Sequence, residues 1–225
     1  MSKSAQTFFS ADIDRRRVLA GSGAVVGAAG LGLTVGSNAA EAVDVAQLMA
    51  DTGLPELSVG PKDAKVTIVE YASMTCPHCG HFHNKIYPEI KKKYVDTGKV
   101  RFVFREFPLD NLAAAASMLS RCSGEGKELA MVSVLFEKMD DWVVRDNPVP
   151  KLFEFAKQAG FTKESFETCL KDQALLDKLL AQRKRASAEF GVNSTPSFFV
   201  NGEKLAGAPS LENFSKVIDS LLGSG

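Results

Sequence analysis

Two cysteines two residues apart, Cys76-Pro77-His78-Cys79, stand where a strand pattern gives way to a helix pattern, and that junction restricts the fold more than any other part of the chain. Upstream, Lys65 to Ser73 (KVTIVEYAS) is dense in β-branched and aromatic residues and carries apolar side chains on both faces, the mark of a central, buried strand. Downstream, Phe82, Ile86, Ile90 and Tyr94 recur at helical spacing, with Lys91-Lys92-Lys93 toward the C-terminal end and Gly98 as the stop. Pro88 is expected to bend that helix. A second strand, Val100 to Glu106, completes a strand, helix, strand unit of the parallel type. A C-x-x-C pair in this position reads as a redox motif, with a plain structural bridge or half of a zinc site as the weaker readings.

From Leu112 to Phe190 no strand pattern competes with five helical stretches: Leu112–Cys122, Glu128–Met139, Lys151–Ala159, Lys163–Leu170 and Leu175–Phe190. This block reads as a helical insertion. After it, Ser197 to Val200 reads as a strand, Asn201-Gly202 as a tight hairpin turn, and Lys204 to Ala206 as its short partner. A last helix places Leu211, Phe214, Val217, Ile218 and Leu221 on one face. The chain is thus of the α/β class, with 43–108 as its first half, 109–190 as the insertion and 191–225 as its second half.

Residues 1–42 have a different composition. Arg15-Arg16-Arg17 precede an uncharged Ala/Gly/Val-rich run from Val18 to Val35, and small residues at Ser37/Ala39 and Ala40/Ala42 offer cleavage sites. The segment reads as an export signal resembling the twin-arginine type, and it places the protein in the periplasm. An uncleaved membrane anchor is the alternative. Over the whole chain, basic and acidic residues balance at 27 each, so no charge excess points to nucleic acid. In an oxidising compartment disulfides persist, and the four cysteines, Cys76, Cys79, Cys122 and Cys169, are even in number.

The chemistry expected of the motif follows from its place. Cys76 falls at a helix N-terminus, where unpaired N–H groups and the dipole favour a thiolate. Pro77 suits the first helical position, having no N–H to leave unpaired. His78, between the sulfurs, is expected to stabilise the Cys76 thiolate, which biases the pair toward the reduced form and makes it an oxidant. Cys79, one turn further in, is expected to be less exposed and to resolve. His81 and His83 could in principle join the cysteines around a metal, but the four are crowded onto one helix start, and a solvated face is the expectation for both histidines. No metal ligand is therefore assigned, and Trp142 reads as core.

Taken with the strand into Cys76-Pro77-His78-Cys79 and the helical insertion, Ser194-Thr195-Pro196-Ser197-Phe198 makes the mature chain resemble the DsbA family of the thioredoxin superfamily. The resemblance implies a thioredoxin fold whose βαβ and ββα halves flank the insertion. It implies a cis-proline at Pro196 opposite the cysteines, with the Thr195 backbone available to an extended substrate. It also implies a buried acid at Glu70, able to exchange a proton with Cys79; a surface acid on a strand edge is the alternative. The activity implied is thiol:disulfide oxidoreduction through the Cys76–Cys79 disulfide with no other cofactor. Its substrates would be exported proteins with free thiols, and a DsbB-like, quinone-linked membrane oxidase would restore it. An isomerase or reductase is the second reading, weakened by the short stretch before the Lys65 strand. A metal-binding or chaperone module is the third. Cys122 and Cys169, both in the insertion, are expected to bridge, the alternative being two buried free thiols.

Overall fold

The computed structural model describes residues 42–223, so the segment read as an export signal lies outside the described residues apart from Ala42. A short helix α1 (Val45–Leu48) leads to strand β1 (Leu57–Val59) and then to β2 (Val66–Ala72). Next come α2 (Pro77–His81), a π turn (Phe82–Ile86), α3 (Tyr87–Ile90) and a second π turn (Lys91–Val95), then β3 (Val100–Glu106). Where a bend is expected at Pro88, the helix is widened in the turn that precedes it. Pro88 has no N–H to offer the carbonyl of Asn84, and the Tyr87 N–H reaches back five residues to the Phe82 carbonyl.

The insertion holds α4 (Asn111–Arg121), α5 (Glu128–Glu137), α6 (Met139–Trp142), α7 (Pro148–Gln158), α8 (Lys163–Leu170) and α9 (Gln173–Phe190). Strands β4 (Ser197–Val200) and β5 (Glu203–Lys204) and helix α10 (Leu211–Gly223) follow. The hairpin partner is thus one residue earlier and shorter than its sequence pattern suggests. Asn201 and Gly202, at φ 48° and 87°, form the left-handed pair that a two-residue hairpin turn requires.

The sheet order is β1-β3-β2-β4-β5, with β2 and β3 parallel and the other neighbours antiparallel. Central β2 is covered on both sides, which is why its sequence is apolar at nearly every position. Strand alternation sends Ile68 and Ala72 into one core layer with Phe82, Phe102, Phe198 and Phe214. Val69 and Tyr71 point the other way, to Val103, Phe199 and Phe190 of α9. Glu70 follows the alternation of Ile68 and Ala72, so its carboxylate enters the layer that also contains Cys76 and Cys79.

The insertion is fastened to the sheet by polar as well as apolar contacts. Glu106, at the end of β3, is fully buried and receives both Nε and Nη2 of Arg121 from α4 and the side-chain amide of Gln182 from α9. Such a buried acid is tolerated because its lone pairs are filled by charge-assisted donors. Trp142 is fully buried as core, its Nε1 donating to the Leu135 carbonyl at 2.9 Å.

Candidate active site

Cys76 is the N-cap of α2, with extended backbone (φ −84°, ψ 117°), and Pro77 takes the first helical position. The N–H groups of the next two residues, His78 and Cys79, are therefore the unpaired donors of the helix start, and they point at the Cys76 sulfur. Both Cys76 and Cys79 are free thiols in this structure. The Cys79 side chain gives the strongest hydrogen bond to Sγ of Cys76; with help from the Thr195 hydroxyl and the two backbone N–H groups, it outweighs the cost of burial and lowers the Cys76 thiol from 9.0 to about 5. Cys79 moves the opposite way. Burial comes first, then its bond to Cys76, then the negative charge of Glu70, so it stays protonated while Cys76 ionises.

His78 reaches the thiolate through its backbone, and its imidazole is exposed, as is Pro77. The stabilising contact expected of His78 is thus made by its backbone N–H, one of the fixed donors of the helix start. Across from the cysteines, the Thr195–Pro196 bond is cis, as the resemblance implies. The Thr195 carbonyl accepts from the Cys76 thiol at 3.3 Å. The Thr195 hydroxyl is buried with no conventional partner, which leaves it free to turn its proton to the sulfur once the thiol ionises.

Glu70 is fully buried between Phe104 of β3 and Phe198 of β4, so it is not an edge acid. Its Oε2 lies 2.8 Å from Nε2 of His83, and its Oε1 has no hydrogen-bond partner. His83 therefore departs from the solvated face expected of it: its side chain is 6% exposed and stacks on Phe136 at 4.3 Å between ring centroids. His81 does lie at the surface. The signal that could have found His83 is its spacing, since a residue four after Cys79 shares the buried face of the helix with it. The bridge expected in the insertion is present, Cys122 to Cys169, with Cα atoms 6.2 Å apart, tying the end of α4 to α8. A cleft lined by Cys122, Phe161 and Cys169 opens beside that bridge.

The arrangement can hold one sulfur as a thiolate at the helix start and the other as a protonated thiol beneath it, with a carboxylate at hand. That is the equipment of thiol–disulfide exchange.

The thioredoxin family model matches residues 53–220. A relative in Rickettsia bellii, provisionally named a protein-disulfide oxidoreductase, is 34% identical over 168 residues, which cover 74% of this chain and 64% of that protein. The chain therefore spans somewhat under two thirds of the length of this and similar Rickettsia relatives. The crystal structure of α-DsbA1 from Wolbachia pipientis is 32% identical, with a TM-score of 0.70, covering 76% of this chain and 94% of that one. A protein-disulfide isomerase from Novosphingobium aromaticivorans, at 22% identity and a TM-score of 0.68, shares the fold. On its fold, its paired cysteines and these relatives, the chain belongs to the thioredoxin superfamily, in its DsbA-like family.

Proposed function

We propose that the protein is a dithiol oxidase that donates a Cys76–Cys79 disulfide to exported proteins as they fold. The observation that carries this reading is the stabilisation of the Cys76 thiolate to a pKa of about 5. That stabilisation exists only in the reduced enzyme. It makes the pair easy to reduce, and a pair that is easily reduced is a strong oxidant.

In the reaction, a substrate thiolate attacks Sγ of Cys76. The Cys76–Cys79 bond breaks, a Cys76–substrate disulfide forms, and Cys79 leaves with the electron pair and takes up a proton. A second substrate thiolate then attacks the substrate sulfur of that mixed disulfide and expels Cys76 as its stabilised thiolate. Two electrons have passed from the substrate thiols to the enzyme pair. Glu70 is the group positioned to serve the Cys79 proton, and the Thr195–Pro196 segment is where an extended substrate backbone would lie beside Cys76. The redox-active disulfide is the only prosthetic element required. Restoring it calls for an oxidant, for which a DsbB-like, quinone-linked membrane protein is the chemical match. A periplasmic location is supported by the second disulfide, which an oxidising compartment sustains.

The pH dependence of stability tests the reading. Cys76 has its folded pKa depressed, from 9.0 to about 5, so in the reduced protein it adds stability that is complete above the unfolded value and is lost as pH falls through the folded one. Cys79, raised in the fold, stays protonated below this upper limit and adds no slope. The oxidised protein lacks the thiolate altogether. Urea unfolding of both forms is therefore expected to show the reduced form gaining on the oxidised one by on the order of 2–3 kcal/mol between about pH 4.5 and pH 7.5, allowing for screening near the surface. A difference that stays constant over that range contradicts an oxidase driven by Cys76.

A further inference from the structure

Resting on the exchange reaction proposed above, we infer that His83 is the outer half of a proton relay, carrying protons between solvent and Cys79 by way of Glu70. The need is geometric. Cys79 and Glu70 are both fully buried, so a proton passing between either of them and solvent must travel through another group. Of the three groups, His83 is the one whose side chain meets solvent, at 6% exposure.

The orientation of each group fits the task. Glu70 engages Nε2 of His83 with one oxygen at 2.8 Å and leaves the other without a partner. An orphaned carboxylate oxygen inside an aromatic layer is costly, and packing alone gives no reason for it. It is accounted for if that oxygen must stay open to exchange a proton with Cys79, on which the Glu70 charge already acts. The imidazole is held by Phe136 stacked at 4.3 Å and Phe104 edge-on at 5.7 Å, which keeps Nε2 on the carboxylate. Beyond Glu70, His83 lines two clefts on the outer surface between the α2–α3 helix and α5, one of about 200 Å³ and one of about 590 Å³.

The titratable and charged groups around His83 are Glu70 from β2, Cys79 and Tyr87 from its own helix, Lys85 and Lys91 on the cleft rim, and Glu137 from α5. Strand β3 presents the rings of Phe102 and Phe104. Tyr87 does not compete for the proton, because burial and the Glu70 charge push its pKa up.

The step balances as follows. When substrate attacks Cys76, Cys79 departs as a thiolate; the Glu70 carboxylate accepts a proton from His83 and passes it to that thiolate, returning to its ionised form, and His83 recovers a proton from water in the cleft. During reoxidation the proton travels outward by the same groups.

The test uses the full chain, oxidised, and reduced by dithiothreitol with rapid acid quench, alkylation and mass analysis across about pH 5 to 9. After correction for the ionised fraction of dithiothreitol, the wild-type rate is expected to fall as pH rises, because the leaving thiolate draws its proton inward from solvent by way of His83 and Glu70. His83→Gln keeps a donor to Glu70 but cannot titrate; it is expected to lose that limb and to run about tenfold slower near pH 6. Its equilibrium potential at neutral pH stays at the wild-type value. Glu70→Gln, which leaves the histidine in place, is expected to lose the same limb, with no further loss in the double variant. An unchanged pH profile in either single variant, or an altered potential with an unchanged profile, would overturn the relay and leave the exchange reaction standing. A wild-type disulfide inert to dithiothreitol would sink the exchange reaction itself.

Discussion

Cys76→Ser is expected to lower thiol–disulfide exchange by about a thousandfold or more, to the background set by solution thiols, because it removes the sulfur that both attacks and is attacked. Cys79→Ser should behave differently. Its Cys76 thiolate still reacts with a peptide disulfide, but with no resolving thiol beneath it the mixed disulfide accumulates and can be isolated by mass. The asymmetry follows from the helix start. Cys76 collects two backbone N–H groups and the Cys79 thiol, whereas Cys79 is walled in by the core and faces a carboxylate. Incubation of each variant with a peptide disulfide, followed by mass analysis of the trapped species, checks both outcomes. Preferential trapping on Cys79 in the Cys76→Ser protein would reverse the assigned roles.

The second large effect lies away from the chemistry. Cys122 and Cys169 close a loop across a sequence separation of 47 residues, and in the chain-entropy account such a closure contributes about 4 kcal/mol. For a domain whose net stability is on the order of 5–15 kcal/mol, that is a large fraction. The Cys122→Ala/Cys169→Ala double variant is expected to lose about this much in urea unfolding while its Cys76 and Cys79 thiols react as in the parent. The variant is preferable to adding reductant, which would change the active pair at the same time. A loss below about 1 kcal/mol would mean that the surrounding contacts, not the bridge, hold α4 to α8.

Much of this architecture was legible in the residues, for reasons that can be named. Strand β2 and strand β3 carry long apolar runs because both faces are covered, and such runs leave a strong mark. The α8 boundaries coincide with the sequence pattern, since Thr162 caps its start through a reciprocal bond with Ser165. Strand β1 left no comparable mark: three residues, antiparallel to β3, are too few to establish an alternation. The cysteine pair was evident from its position between strand and helix. What the residues did not reveal was the fate of His83. Its neighbours suggested a polar surface, and the decisive contacts, Glu70 on β2 and Phe136 on α5, come from elements 13 and 53 positions away that only the folded sheet and insertion bring together. Glu70 was open between core and edge for the same reason. Local alternation gives the face of a strand, but burial of that face depends on Phe104 and Phe198 flanking it.

The most direct measurement is the equilibrium reduction potential of the Cys76/Cys79 couple, titrated against glutathione with alkylation and mass analysis so that Cys122 and Cys169 are counted separately. A thiolate held by the start of α2 predicts a value close to about −120 mV, that of a strong dithiol oxidant. A value close to about −270 mV would be that of a reductant, and it would contradict the oxidase assignment.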